Sequence, residues 1–447
     1  MNTAGDIMRE HERVRGSLSG RGAGWLDALR TRGLARVAEA GFPTVRNEDW
    51  KYTNVSQVLK SALRPILADQ VRIEDAALHA IVAGLPGVGE DSPLLVFVDG
   101  HFQSRASRLG KTHRGLSIGS LRERLEREPA SLQPWLGKYL PVDVHGFVAF
   151  NTAFLDDGAV VEIGEGAIIE TPIHVLFHST SRAEPFVTNP RNVIVAGAGS
   201  SALVVEHYVG AAGARHLTNA ATEIAVGRDA ALGHVRIQRE AETAFHVGRV
   251  QVDQEAGSSL TSHSFGFGAA LSRVELPVRL AGEDAECAMH GLWALHGTQH
   301  ADHHLWIDHA SPRTRSRQTY KGVLEDSARG VFTGKVLVRP GAQKIEARQS
   351  NANLVLGQGA VAETRPQLEI YADDVQCTHG ASIGRLDEDA LFYIQQRGID
   401  AREARRLLVY GFAIEVAESV VPEPLRQGLM AAVAQRVASL ARQGEGQ

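Results

Sequence analysis

The stretch NVIVAGAGSSALVVEHYV, residues 192–209, decides the fold. Two short β-branched runs flank a Gly/Ser/Ala segment, and no three- or four-residue apolar step crosses it, so it reads as strand, turn, strand. The pattern inside it, a turn pair, a small residue, then an apolar or thiol residue, ends first at Leu203 (SSAL). It returns as DAAL ending at Leu232, GSSL ending at Leu260 and DAEC ending at Cys287, at intervals of 29, 28 and 27 residues. A near-constant period of this size belongs to stacked coils. One coil cannot bury its own inner face, so neighbours stack and the core becomes continuous. The expectation is a β-helix rather than a sandwich or a barrel.

Working outward, the same texture fills residues 151–383, the expected β-helix body. GAVVEIGEGAIIETPIHVLF, AALGHVRIQ and GVFTGKVLV all alternate short β-branched runs with Gly, Asp, Asn and Ser. Residues 1–65 read as a helical arm. Trp25, Leu26, Leu29, Leu34 and Val37 recur at mixed three- and four-residue steps until Gly41 and Pro43 break the helix. RNEDWKYTNV follows, with Trp50 and Tyr52 as aromatics that pin the arm to the body. Residues 66–150 are a mixed lead-in, with LLVFVDG as strand and turn and GSLRERLERE as a short helix. Residues 384–447 return to helix, with Asp387 and Asp400 as N-caps, Gly398 as a stop, and Ala404, Leu407, Leu408, Gly411 and Phe412 as an apolar stripe. LRQGLMAAVAQRVASLA forms a last amphipathic helix. Such a tail can cap the unpaired edge of a solenoid or offer a ridge to another protein.

Composition narrows the function classes. Hydrophobic residues make 43% and charged residues 22% of the 447, an ordinary globular balance. A net charge of −5 does not indicate a large nucleic-acid face. Two cysteines, Cys287 and Cys377, are too few for a disulfide framework and point to a reducing compartment. The start MNTAGDIMREHERVRG has no apolar h-region, and SPLLVFV at 92–98 is too short to span a bilayer. The expectation is a cytoplasmic protein without a membrane partner. TGKV around Lys335 and LGKT around Lys111 lack the glycine spacing of a phosphate loop, and GxSxG is absent. No nucleotide hydrolysis is expected of this chain.

Three groups of residues could carry chemistry. In YADDVQCTHGASIG, residues 371–384, Cys377 and His379 stand two apart, so in a strand both face the same side. Thiolate and imidazole both bind iron, zinc or copper, but a closed tetrahedral site needs four ligands. The pair is half a site, completed by solvent, another segment or another chain. The competing reading makes Cys377 a small core residue and His379 a turn histidine that caps a carbonyl. His290, His296, His300, His303, His304 and His309 form a histidine-rich tract, read as solvated or ladder-forming side chains because strand alternation spreads them over both faces. Arg313, Arg315, Arg317, Lys321, Arg329, Lys335, Arg339 and Lys344 could face an acidic partner or simply line a solvated coil face.

Three segments resemble a known family: RNEDWKYT (46–53), the run DHHLWIDH…SNANLVL (302–356), and TRPQLEIYADDVQCTHGASIGRLDEDALFYIQQRGI (364–399). They are similar to the SufB/SufD family of the Suf iron–sulfur cluster assembly machine, with CTHG matching the family's Cys-x-His-Gly. The resemblance implies a right-handed parallel β-helix flanked by helical regions. It implies a non-catalytic scaffold that pairs with SufB as a heterodimer and docks the ATPase SufC on the helical tail, through Leu407, Leu408 and Phe412. It places His379 and Cys377 at the interface where a cluster forms, so that SufB supplies the missing ligands. By the same analogy no cofactor is stably bound by this chain alone, and iron or a cluster passes transiently. SufB members carry further cysteines, whereas only Cys287 and Cys377 occur here, which favours the SufD branch. A homodimer in isolation stays open, since an exposed sheet edge can self-pair. Two other readings remain: a β-solenoid enzyme acting on acidic polysaccharide through the arginine-rich face, and a structural adaptor without metal chemistry.

Overall fold

A computed structural model describes residues 4–61, 64–109 and 114–443; Lys111 of the LGKT segment lies outside them. The body is a parallel β-solenoid of two sheets. One sheet runs from Leu116–Ser120 through Ala159–Ile163, Arg191–Ala196, His216–Val226, Phe245–Gln254, Leu271–Leu280, His300–His309 and Arg329–Val338 to Val361–Ile370. The other runs from Leu94–Val98 through Ile173–Ser179, Ser201–Gly210, Ala231–Arg239, Ser259–Gly266, Glu286–Leu295, Arg315–Leu324 and Ile345–Val355 to Val375–Gly384. The chain passes from sheet to sheet at each corner, so successive strands of one sheet are a whole coil apart in sequence. The expected mainly-β solenoid with flanking helices is what the chain forms.

The repeat marks one inward column of the second sheet. Leu232 pairs with Leu260, and Leu260 with Cys287, as the spacing requires. The first step differs by one residue: Leu232 pairs with Ala202, not Leu203. The Ser200–Ser201 doublet blurs the frame, and alternation then turns Leu203 outward. The column continues unread through Ser316 and Ala347 to Cys377, because polar and small residues replace the apolar marker. Three residues before each column member from Ala202 to Ala347 the backbone has positive φ: Gly199, Asp229, Gly257, Asp284, Arg313 and Lys344. That left-handed corner, filled by Gly or Asp in the first four coils, is what the turn pair encodes.

Three of the hydrophobic cores bear on the solenoid body and its flanks. The coil interior is mostly aliphatic, joined by Trp293, Tyr320 and Phe332. On the outer face of the first sheet, Trp50 of the N-terminal arm and Phe147 of the lead-in pack with Leu217 and Val247. Trp50 stacks on Phe147, and the Arg273 guanidinium lies 3.9 Å from its ring centre. Thr53 donates to Asp302 at 2.5 Å. The WKYT segment is thus an anchor. On the outer face of the second sheet, Val409, Ala413, Val416, Leu425, Leu429 and Val433 of the tail helices cover Val205, Ile237, Phe265, Leu292 and Val323. The tail therefore lies along a sheet face rather than across the open edge. The last strands, Val361–Ile370 and Val375–Gly384, have no buried residue between them.

Candidate functional site

Val375–Gly384 is the final strand of its sheet and, among the described residues, pairs only with Ile345–Val355. Cys377 lies opposite Ala347 and His379 opposite Gln349, both on the inward-facing side of the coil. The thiol packs half-buried against the end of the coil core, while the imidazole is exposed because no further coil covers it. The pair is inward by alternation yet open to solvent by position. Burial pushes the Cys377 thiol above its ordinary range, and hydrogen bonding to the backbone of Ala347 offsets this in part. It is therefore a protonated thiol that a metal or base must deprotonate. Cys287, three coils deeper, is sealed in the core with its thiol pushed up to about 12 by burial. Among the described residues no group of three or more His, Cys, Asp and Glu is placed to hold a metal ion. Two donors at an open edge can contribute to a metal's coordination but cannot complete it.

Around this edge is an apolar rim that strand and helix periodicity did not reveal. Val361, Ile370, Tyr371 and Ile383 from the last coil, and Phe392 and Tyr393 from the first tail helix, Glu388–Gln395, are all exposed. That helix buries no residue of its own. Its N-cap is Asp387, whose carboxylate accepts from the amides of Asp389 and Ala390, and Gly398 follows with φ of 83°.

The histidine tract is scattered and mostly buried, not solvated. His303 stacks on Trp293 with ring centres 5.0 Å apart, and burial pushes it down to about 3. His290 stacks on His263 at 4.7 Å, a true ladder pair. His309 lies between the hydroxyls of Thr314 and Ser316 at 2.7 and 2.9 Å. His300 bonds Thr53, His296 pairs with Glu242, and His304 lies beside Arg273. Each has a packing duty. The arginine-rich run is likewise largely paired within the chain: Arg313 with Glu283 and Asp284, Arg315 with Glu286, Lys321 with Glu415, Arg329 with Glu363, Lys335 with Glu369, and Arg339 with Asp308. The polysaccharide reading loses its motivating basic face.

The expected tail stripe is rotated. Helix Ala401–Glu418 buries Ala404, Val409, Ala413, Ile414, Val416 and Ala417. Gly411 offers nothing to bury, so branched residues one step round take the contact. Leu407 is 38% exposed, and Leu408 and Phe412 are half-buried. Phe412 stacks under Lys321, whose Nζ sits 4.6 Å from the ring centre. Of the three, Leu407 is the most available to a partner.

Family models match most of the chain, up to residue 412. Residues 177–412 match the model described as SUF system FeS cluster assembly, SufBD core domain, and residues 1–175 match the SufBD protein N-terminal region. The chain belongs to the SufBD family. It is 30% identical to the iron-sulfur cluster assembly protein SufD of Escherichia coli, over 92% of both chains. It is 30% identical to an iron-sulfur cluster assembly SufBD family protein of Synechocystis, over 85% of this chain and 84% of that one. The chloroplastic protein ABCI7 of Arabidopsis thaliana is 29% identical over 90% of this chain. The SufBD core match takes in the open edge with Cys377 and His379. No helix among the described residues is long and apolar enough to cross a membrane.

Proposed function

We propose that this chain is a non-catalytic scaffold subunit in iron–sulfur cluster assembly, and that its open solenoid end is where a second β-helix subunit docks. The observation that carries the reading is the pair of soft ligands, Cys377 and His379, side by side on a final strand that no coil or helix among the described residues covers. SufBD membership supports it. The partner's chemistry follows from what the edge lacks. It must add a strand to Val375–Gly384, cover the apolar rim, and contribute thiolates to the two donors here. A SufB subunit, with its further cysteines, fits that description.

Iron and sulfide are the cargo. The His379 imidazole supplies a neutral nitrogen ligand, and the Cys377 thiol supplies sulfur once iron takes the place of its proton. Assembly at a subunit seam leaves the cluster releasable, because parting the two chains removes half its ligands at once. The second tail helix, exposing Leu407 beside half-buried Leu408 and Phe412, is the proposed docking point for the SufC ATPase. A nucleotide-driven change in that ATPase would reach the seam through the tail, which is packed along the second sheet.

His379→Ala should sharply reduce cluster maturation by the assembled complex while leaving subunit co-purification intact. Maturation at the wild-type level would remove His379 from the chemistry. Loss of co-purification instead would make it a contact residue only.

A further inference from the structure

The inward face beneath the open edge is a stack of amides. Gln318, Gln349 and His379 occupy one register column in three successive strands of the second sheet. Gln349 is nine-tenths buried and donates from Nε2 to Gln318 Oε1 at 2.9 Å. It crosses the coil as far as Gly334 of the opposite sheet, where an added Cβ would meet Gln349 Nε2 at 1.7 Å. Glycine at 334 is the condition for this glutamine to lie there. With its nitrogen bonded to Gln318, Gln349 is left with a buried carbonyl oxygen, Oε1, that has no partner. A buried polar atom without a partner is costly and calls for an explanation. Its neighbour on the solvent side of the column is His379, whose side chain is exposed.

We infer that Gln349 is the positioning residue for His379: its carbonyl oxygen accepts one imidazole N–H and so presents the other ring nitrogen, with its lone pair, at the open edge. The inference rests on the proposed ligand role of His379. A metal-binding histidine needs one nitrogen bare, and the hydrogen bond made by the other decides which. A glutamine suits this task better than a carboxylate in a buried column. It accepts without adding charge, and its own nitrogen is anchored by Gln318. Backbone pairing fixes the register, so Gln349 adjoins His379 in the column before a partner arrives.

The test is the tautomer of His379, read by nitrogen-15 NMR on the full-length, metal-free chain labelled at histidine, with His379→Gln identifying the resonance. In the wild type His379 should populate one neutral tautomer. Gln349→Met, which keeps the shape and removes the acceptor, should return it to the mixture of an unrestrained imidazole. Gln349→Glu, which restores an acceptor, should restore the single tautomer. Gln349→Met should also weaken iron retention by the assembled complex by about tenfold, the usual scale for losing the hydrogen-bond partner of a ligand. A mixed tautomer in the wild type overturns the inference whatever the variants do, as does a tautomer unmoved by Gln349→Met. A single tautomer that Gln349→Met abolishes, together with normal maturation by His379→Ala, would leave the positioning intact and sink the ligand role instead.

Discussion

At the scale of the residue, position in the coil decides what a histidine can do. His303 and His379 both sit on strands of the solenoid. His303 is walled in by Trp293 and Tyr320, and burial holds it near 3, whereas His379 stands at the edge. The pH dependence follows. Unfolded, His303 titrates near ~6.5; folded, at about 3. Between those values the unfolded chain binds a proton that the folded chain refuses. Stability is therefore complete above about pH 6.5 and is lost as pH falls, by about 2 kcal/mol at pH 5 for this residue alone. His263 near 3, and His300 and His309 near 4, add in the same direction. Urea midpoints at pH 7 and pH 5 should differ, and His303→Gln should shrink that difference. An unchanged difference would mean that His303 takes up its proton without unfolding. The sequence disclosed that Cys377 and His379 share a face, because strand alternation is local. It could not disclose that this inward face stands open to solvent, since that depends on where the coil stack stops.

At the scale of the element, alternation made the strands legible, and the left-handed corners made their period legible. The frame slipped only where Ser200–Ser201 mimicked the turn pair and placed Leu203 where Ala202 belongs. The tail was harder. Helices Ala401–Glu418 and Glu423–Gln443 are recognisable from their caps and steps, but two apolar stripes compete in the first, and only the sheet beneath it chooses. Leu429 is fully buried between tail and sheet, so Leu429→Ala should cost about 2–5 kcal/mol. Hydrogen exchange should then rise in both tail helices before the solenoid. Uniform exchange across the chain would show that tail and sheet unfold as one unit. Leu407→Asp, on the exposed side, should abolish capture of the SufC ATPase with no change in Tm. Retained capture would move the docking point elsewhere. At the other end, Trp50→Ala should cost about 3–5 kcal/mol, because its ring stacks on Phe147 and covers Arg273. A smaller loss in denaturant titration would mean that the arm contributes little to the body.

At the scale of the whole molecule, the solenoid has one protected end and one open end. The N-terminal end is closed by the antiparallel strand Leu116–Ser120 and by the Leu94–Val98, His101–Phe102 hairpin. The C-terminal end presents Val375–Gly384 and an apolar rim. An unblocked edge of this kind is an invitation to pair. Ile383→Lys, at the rim, should weaken association with the second β-helix subunit in analytical ultracentrifugation and leave the isolated chain folded. The most direct measurement is X-ray absorption at the iron edge of the assembled, iron-loaded complex, comparing wild type with His379→Ala. The expected result is a nitrogen ligand in the wild-type spectrum that His379→Ala removes, with iron retained poorly by this chain on its own. Identical iron spectra and iron contents in the two complexes would contradict the claim that this solenoid end lends its imidazole to a shared metal site.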